Sequence, residues 1–211
     1  MQIFFTNSNT IDLDSEVFKH YQSLLSYDER ARMEGISLPK IKKNFVCGRG
    51  LIKTTLAKML FCKAEDVTLK ATSNGRLEID HPFSSLSFNI SHSNNFILMG
   101  VCDQIIGVDI EYVKDRNFLE IAKYFFSKKE FEILKNIDCD KKRREIFYYY
   151  WTIKEAFIKC NGEKLFDKLH DIECVIDANT KSVSHNFEQK YQVSTIHVAE
   201  NYIASIVVRS S

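Results

Sequence analysis

The sequence predicts an α+β protein made of two similar halves, each a small sheet with helices. Two observations support this fold class. A strand, then helices, then several short strands follow one another twice along the 211 residues, with a break at Asp103–Gln104. Two Pro and seven Gly leave no room for a long flexible linker. We therefore predict an N-terminal half at 1–103 and a C-terminal half at 104–211, packed side by side.

The first half begins with a strand at 2–6, followed by helices at 15–26 and 39–62. The second of these helices is amphipathic, with apolar residues on one face: Phe45, Leu51, Ile52, Leu56 and Met59. Short strands are expected at 67–71, 76–80, 86–91 and 96–102. Asn74–Gly75 and His81–Pro82 interrupt this series, as turn residues do.

The second half repeats that order. A strand at 105–112 precedes helices near 118–125, 128–137 and 143–161. Strands follow at 172–177, 191–198 and 202–208. Ser127 and Glu130 have the spacing of a capping box at the start of the middle helix.

Composition excludes several classes of protein. A net charge of +1 gives no global field for nucleic acid. No stretch approaches the roughly 20 apolar residues of a membrane span, and 1–6 lacks the basic start and long apolar run of a signal peptide. The six cysteines show no CxxC spacing and read as reduced, buried thiols. We expect a cytoplasmic protein without nucleic-acid or membrane partners.

Two segments carry the chemistry. In 107–111, the period of a strand sends Asp109 and Glu111 out of one face. In 151–159, helical spacing places Glu155 and Lys159 on one stripe with Trp151. Three carboxylates and a lysine that converge suggest a hard cation, Mg²⁺, with a phosphate-bearing substrate.

An ordinary structural explanation stays open for each segment alone. Asp109 and Glu111 could form the solvated face of a strand, and Glu155 with Lys159 could be a surface pair worth about 0.2–0.5 kcal/mol. Together these explanations weaken, because Glu155 lies in a strongly apolar helix. A carboxylate there needs a partner.

The two segments, in this order and at this separation, resemble the signature of 4'-phosphopantetheinyl transferases, with further matches over roughly residues 28 to 165. The length is similar to that of the monomeric type resembling the surfactin-synthetase activator, whose chain holds two similar halves about a pseudo-twofold axis. The resemblance implies a Mg²⁺ site, with Mn²⁺ as an alternative, formed by Asp109, Glu111 and Glu155. It also implies a monomer that uses coenzyme A as substrate.

The resemblance assigns the remaining site residues mainly to the first half. Arg32 and Lys40 match positions that meet the 3'-phosphate of coenzyme A, and Arg49 fits the same helix pattern. The loop with Asn74, Gly75 and Arg76 resembles the one that borders the adenine, with Leu77 in place of the usual proline. In the segment 88–93, Asn89, Ser91 and His92 match coenzyme A-binding positions, and the His contacts phosphate. An amphipathic helix would carry Arg49 in any case, and a His at a strand end is otherwise a structural hydrogen-bonding residue.

The implied reaction is attack by a serine of an apo acyl or peptidyl carrier protein on the β-phosphorus of coenzyme A, releasing adenosine 3',5'-bisphosphate. Such activity would activate fatty-acid, polyketide or nonribosomal-peptide synthases. Glu155 takes the serine proton, directly or through water. Lys159 and the metal ligand Asp109 also contact the phosphates. Because the glycine expected two positions after Gly162 is missing, the choice of carrier is open.

Two other functions remain possible from the residues. One is a silent pantetheine- or nucleotide-binding module, which would be free to lose the three carboxylates and Lys159. The other is a different Mg²⁺ enzyme such as a phosphodiesterase, although the six histidines show no ligand spacing. Apolar residues near the helix at 118–125 could dock a carrier or belong to the core: Phe118, Ile121, Tyr124, Phe125 and Phe126.

Overall fold

The first half of the chain is a three-stranded sheet covered by one long helix. The structure of the protein is a computed structural model, which describes residues 1–80, 85–162, 169–176, 183–186 and 190–210 of the chain. Strand β1 (Gln2–Asn7) is followed by helices α1 (Glu16–Ser23), α2 (Tyr27–Glu34) and α3 (Pro39–Leu60). Four strands then follow: β2 (Leu69–Ala71), β3 (Leu77–Ile79), β4 (Ser87–Ser93) and β5 (Phe96–Cys102).

The core of this half lies between α3 and the antiparallel sheet β1-β5-β4. Val46, Ile52 and Leu56 of α3 are fully buried against Met99 and Val101 of β5. The apolar face predicted for α3 is therefore the face that packs against the sheet. Burying each such side chain contributes about 1.5–3 kcal/mol.

The second half has the same plan. It begins with β6 (Ile105–Tyr112), followed by α4 (Phe118–Phe125), α5 (Lys128–Lys135) and α6 (Asp140–Asn161). The strands that follow are β7 (Cys174–Ile176), β8 (Val183–His185), β9 (Tyr191–Ala199) and β10 (Tyr202–Arg209). The sheet has the order β6-β10-β9. Its strands pair antiparallel.

The two sheets occupy equivalent places in their halves. In each, the first strand of the half pairs with the last, and the last pairs with the one before it. A 22-residue helix, α3 or α6, precedes a short two-stranded hairpin in each half. The prediction of an α+β fold with two similar halves is confirmed. The boundary at 103/104 stays a prediction.

Several predicted elements differ in extent. The helix predicted at 15–26 ends at Ser23, and α2, a mostly polar helix, was not predicted. The short strand β8 was also missed, and β4 continues two residues further than predicted, to Ser93. Asn74–Gly75 forms the expected turn, with Gly75 at φ 84°. The predicted break at His81–Pro82 lies outside the described residues.

A buried glutamate–lysine contact recurs in both halves, and we call it the Glu–Lys clasp. In the first clasp, Glu29 caps α2 through Ser26 and pairs with Lys53 of α3 at 3.2 Å. Lys53 also donates to the carbonyl of Leu24. The pair holds α2 and the end of α1 against α3.

The second clasp has the same parts at the same sequence spacing. Glu130 caps α5 through Ser127, as the capping-box prediction requires, and pairs with Lys154 of α6 at 2.8 Å. Both side chains are completely buried. Lys154 also donates to the carbonyls of Leu169 and Ile172, so it fixes the chain after α6.

No helix among the described residues is long and apolar enough to cross a membrane. All six cysteines are free thiols, as predicted. Four are buried, whereas Cys62 and Cys139 are exposed.

Candidate active site between the two sheets

The carboxylates of β6 lie where the strand period predicts. Val108 and Ile110 are buried among the apolar side chains of β5 and β10, and Asp109 on the other face is 2% exposed. Gly107 allows α6 to cross this strand closely, because a Cβ there would collide with the backbone of Ala156 and Cys160. This contact brings the end of α6 over the carboxylates.

Helix α6 supplies the third carboxylate and the ammonium. Oxygens of Asp109, Glu111 and Glu155 all lie within 4.8 Å of one another. Lys159 Nζ is 2.5 Å from Asp109 Oδ1 and 3.6 Å from Glu155 Oε2. Asp109 Oδ2 is buried and has no hydrogen-bond partner. The four residues predicted to converge are therefore brought together.

The electrostatics of this cluster reflect three acids in a partly dry site. Burial and the Asp109 charge raise the pKa of Glu155 to about 8. The pKa of Glu111 is raised by the same two causes. Burial lowers the pKa of Lys159, but the charges of Asp109 and Glu155 raise it by more, so the net shift is upward and the ammonium stays charged. An excess of carboxylates over cations remains, as expected for a divalent-cation site.

Strand β4 lies beside β6, and its alternate side chains bind that strand. Asn89 Oδ1 accepts from Val108 N at 2.9 Å. Ser91 Oγ donates to Asp109 Oδ1 at 2.7 Å and accepts from Lys159 Nζ. The side chain of Ser91 thus faces the carboxylates. Its predicted contact with coenzyme A stays a prediction.

A cationic cavity of about 320 Å³ lies on the other face of β4. Arg32, Arg49 and His92 line it, together with Asn44 and Phe45. The Arg49 guanidinium is paired with Glu29 at 2.7 Å and stacks over Phe45. Arg32, which is exposed, is the cation available to a ligand in this lining, whereas Lys40 is exposed at the start of α3 and is not part of it.

His92 completes the polar lining. Loss of solvent and the nearby Lys159 ammonium hold the pKa of His92 below its ordinary value. At neutral pH the imidazole is therefore uncharged and offers an N–H donor rather than a positive charge.

A second cavity, of about 260 Å³, is lined by Lys159. Asn74, Gly75 and Arg76 form one wall, and Asn89 and Lys159 form the other. Ile90 lines both cavities. A larger cavity of about 490 Å³ lies beyond Arg76, but the carboxylates and Lys159 do not line it. Of these three cavities, the one of about 260 Å³ is lined by Lys159, and it lies beside the one lined by Arg32 and His92.

Arg76 joins the two halves. Its guanidinium donates to the carbonyls of Lys159, Cys160 and Ile106, and to Ser87 Oγ. Asn74 donates to the carbonyl of Gly162, which ends α6 at φ 67°. These contacts hold the C-terminal turn of α6, and with it Lys159. Residues 163–168, where the second glycine is missing, lie outside the described residues.

Two residues near the site were not found from the sequence. Ser93 Oγ donates to Glu111 Oε2 at 2.9 Å, and the polar alternation with Asn89 and Ser91 was the available signal. Arg116 lies over the rings of Phe147 and Tyr148 at 5.3 and 4.9 Å, and its charge offsets part of the rise in the pKa of Glu111 that burial and Asp109 cause. No spacing rule indicates a loop arginine of this kind.

Of the apolar residues that could either dock a carrier or belong to the core, most are at least partly buried and one is exposed. Phe118 and Phe126 belong to the core, and Ile121 and Phe125 are partly buried against it. Tyr124 is 76% exposed. Most of this set is therefore core.

Fold and site together define a class of protein: a two-half α+β chain with a cluster of three acids beside a cavity lined by arginines. Comparisons with known proteins agree. The 4'-phosphopantetheinyl transferase superfamily matches residues 105–207, and the family described as 4'-phosphopantetheinyl transferase, N-terminal, matches residues 13–103.

Two curated relatives extend the match over most of the chain. The 4'-phosphopantetheinyl transferase HetI of Nostoc sp. is 34% identical over 170 residues, which cover 79% of this chain and 71% of the relative. The 4'-phosphopantetheinyl transferase Sfp of Bacillus subtilis is 31% identical over 154 residues, which cover 72% and 67%. The chain belongs to the 4'-phosphopantetheinyl transferase superfamily and is an enzyme of that type.

A solved holo-(acyl-carrier-protein) synthase from Bacillus anthracis, in complex with CoA (3',5'-ADP), is also similar. It matches with a TM-score of 0.40 and 21% identity, covering 50% of this chain and 96% of that one.

Proposed function

We propose that this enzyme transfers 4'-phosphopantetheine from coenzyme A to a serine of an apo acyl or peptidyl carrier protein, in a reaction that depends on Mg²⁺ or Mn²⁺. The observation that carries the proposal is the cluster of Asp109, Glu111 and Glu155 beside Lys159. Lys159 lines a cavity that shares Ile90 with the cavity of Arg32 and His92. The acidic cluster with Lys159 suits a metal-bound pyrophosphate, and the cavity of Arg32 and His92 suits a terminal phosphate. The proposal includes carriers of fatty-acid, polyketide and nonribosomal-peptide synthases.

The carboxylates fit a hard divalent cation. Three carboxylate oxygens lie close together, and the buried Asp109 Oδ2 lacks a partner that a cation would supply. Asp109, Glu111 and Glu155 would hold the ion. When bound, Mg²⁺ supplies positive charge next to the pyrophosphate oxygens.

The residues of the chain then have separate roles. The serine hydroxyl oxygen forms a bond to the β-phosphorus, and the bond from that phosphorus to the bridging oxygen breaks, so adenosine 3',5'-bisphosphate leaves with the electron pair. Glu155 accepts the serine proton, directly or through water. Lys159 donates to a phosphate oxygen and balances charge as the bond breaks. Arg32 and His92 hold the 3'-phosphate.

One assay tests this proposal against the two alternatives. The enzyme is incubated with coenzyme A, Mg²⁺ and an apo carrier protein, and the carrier is weighed by mass spectrometry. We expect the carrier to gain one phosphopantetheine group and the solution to gain adenosine 3',5'-bisphosphate. Hydrolysis of coenzyme A without transfer would indicate a phosphodiesterase, and binding alone would indicate a silent module.

The structure supports transfer over both alternatives. Among the described residues, Asp109, Glu111 and Glu155 are the one group of three acidic, histidine or cysteine side chains placed to hold a metal, whereas a phosphodiesterase of the two-metal type needs more ligands. A silent module would not need Lys159 beside all three acids. The monomeric state and the cytoplasmic location stay predictions.

A further inference from the structure

The contact between β4 and β6 is made by side chains rather than by a backbone ladder of one sheet. The two strands belong to different sheets. Asn89, Ser91 and Ser93 project from β4 toward β6, and we call them the polar strip. Their oxygens accept from the backbone N–H groups of Val108, Ile110 and Tyr112 at 2.9, 3.4 and 3.0 Å. The strip therefore fixes β6 at three alternate residues.

The two serines of the strip also reach the acids. Ser91 Oγ donates to Asp109 Oδ1 at 2.7 Å, and Ser93 Oγ donates to Glu111 Oε2 at 2.9 Å. A hydroxyl has one proton to donate and two lone pairs. Each serine oxygen accepts from a backbone N–H of β6, and its single proton points at the carboxylate of the residue just before that N–H in the chain. Each acid is thereby oriented by a residue of the other half.

This orientation leaves particular oxygens for a ligand. Ser91 and Lys159 occupy Asp109 Oδ1, so Oδ2 is the oxygen left without a partner. Ser93 likewise occupies Glu111 Oε2. Residues that orient metal-binding carboxylates in this way typically change metal affinity by about 10–100-fold when removed.

We propose that Ser91 and Ser93 are positioning residues of the metal site, which hold Asp109 and Glu111 in the arrangement that binds the cation. The inference rests on the proposed function, since it takes the three acids to be the metal ligands. Ser93 is the sharper case, because its side chain contacts Glu111 and β6, whereas Ser91 also contacts Lys159.

The chain offers a matched control for a merely structural role. Asn89 makes the same kind of backbone contact as the serines, but the hydrogen bonds described for it do not reach a carboxylate. If the strip only joins the halves, Asn89→Ala and Ser93→Ala should act alike on metal binding. Ser194, an exposed serine of β9, controls for loss of a hydroxyl elsewhere.

The experiment measures Mn²⁺ binding to the full chain by electron paramagnetic resonance of the free ion, with and without coenzyme A. We expect Ser93→Ala to weaken Mn²⁺ binding about 10–100-fold, and Ser93→Thr, which keeps the hydroxyl, to restore most of it. Ser91→Ala should weaken it at least as much. Ser194→Ala should stay within about threefold of the wild type. Asn89→Ala is compared only without coenzyme A, because Asn89 is itself a predicted coenzyme A contact, and there it should lose clearly less Mn²⁺ affinity than Ser93→Ala. Thermal unfolding of every variant is followed in parallel.

The outcomes separate this inference from the proposed function. Unchanged Mn²⁺ affinity in folded Ser93→Ala and Ser91→Ala, or an equal loss in Asn89→Ala, would overturn the positioning role while leaving the metal site intact. A wild-type protein that binds no Mn²⁺ in either condition would overturn the metal assignment itself, and this inference with it. A loss for Ser93→Ala that Ser93→Thr does not reverse would also contradict the role of the hydroxyl.

Discussion

The two long helices, α3 and α6, each carry a clasp lysine but differ at the residue that follows this lysine. Lys53 and Lys154 are equivalent lysines of the two clasps, and both are buried against a helix-capping glutamate. The next residue is Thr54 in α3, which hydrogen-bonds to the carbonyl of Gly50 in its own helix. In α6 it is Glu155, which faces the acids of β6. The clasp is present in both halves, whereas the cluster of three acids involves only the second long helix.

The first strands of the halves show the same contrast. β1 and β6 have the same place in their sheets. Phe5 of β1 is 58% exposed, whereas Asp109 of β6 is buried against β4. The two first strands therefore have the same place in their sheets but different neighbours. The site forms where the first strand of the second half meets a strand of the first.

The largest expected effect comes from removing the acids of the second half. Asp109→Ala or Glu155→Gln should lower the rate of transfer by more than the 10²–10⁴-fold typical of a general base alone, because the metal is lost as well. Glu111→Gln should be milder, since a water can take the place of one ligand. Rates come from mass-spectrometric assay of the carrier at saturating Mg²⁺.

The matched pair on the two helices is Lys159→Ala and Lys58→Ala. Lys58 is the equivalent of Lys159 on α3 and is exposed. We expect transfer to be lost only in Lys159→Ala. Near-normal transfer in Asp109→Ala or Glu155→Gln would remove the basis for placing catalysis in the second half.

A second test compares the clasps by their contribution to stability. Lys154→Met leaves Glu130 as an unpaired charge in a fully buried site and should lower the free energy of unfolding by about 3–5 kcal/mol. Lys53→Met should cost less, because Glu29 keeps its pair with Arg49. Urea denaturation measures both variants. Equal losses would mean that the clasps are equivalent in energy as well as in design.

A third test asks whether the first half binds the end of the substrate that the second half does not touch. Arg32→Ala and His92→Ala should weaken coenzyme A binding by about 10–100-fold, because hydrogen bonds to a charged group are worth about 1.5–3 kcal/mol. Binding of 3'-dephospho-coenzyme A should hardly change. Calorimetric titration of both ligands gives the answer, with Lys58→Ala as control. The same loss for both ligands would place these residues elsewhere in function.

The smallest effect concerns pH without divalent cations. Because burial and the Asp109 charge raise the pKa of Glu155 to about 8, the folded protein holds this proton up to about pH 8, whereas the unfolded chain releases it near the ordinary glutamate pKa of 4.5. Between these values the folded state binds one more proton, so the group's contribution to stability is present at low pH and is lost as pH rises through 8. The loss is at most about 1.4 kcal/mol per pH unit.

Thermal unfolding in a chelating buffer checks this sign. The wild type should lose stability between pH 6 and pH 8 relative to Glu155→Gln, which has no proton to release there. Thr54, at the equivalent position, cannot titrate, so the effect belongs to α6 alone. Parallel pH curves for the two proteins would contradict it.

The sequence was sufficient where a residue's surroundings follow from local spacing. Strand and helix periods predicted that Asp109, Glu111, Glu155 and Lys159 would converge, and they do. The capping box at Ser127 was also predicted correctly. Local rules work here because β6 and α6 are long, strongly patterned elements.

Other features depend on contacts that local spacing does not encode. α2 contacts the core through Met33 but has too few apolar residues for a periodic pattern, so periodicity missed it. Ser26 and Glu29 nevertheless carry the same capping signal as Ser127 and Glu130. The role of Arg76 in holding the end of α6 depends on a loop meeting a distant helix. The partners of Ser93 depend on which strand lies beside β4.

The contact between β4 and β6 has a consequence for self-association. Each is the outermost strand of its sheet, and an uncovered outer strand offers its backbone N–H and C=O groups to other copies of the chain. Here the two strands cover one another, and the N–H groups of Val108, Ile110 and Tyr112 are bound by side chains. The arrangement that orients the acids therefore also guards against aggregation, so changes that separate these strands endanger catalysis and solubility together.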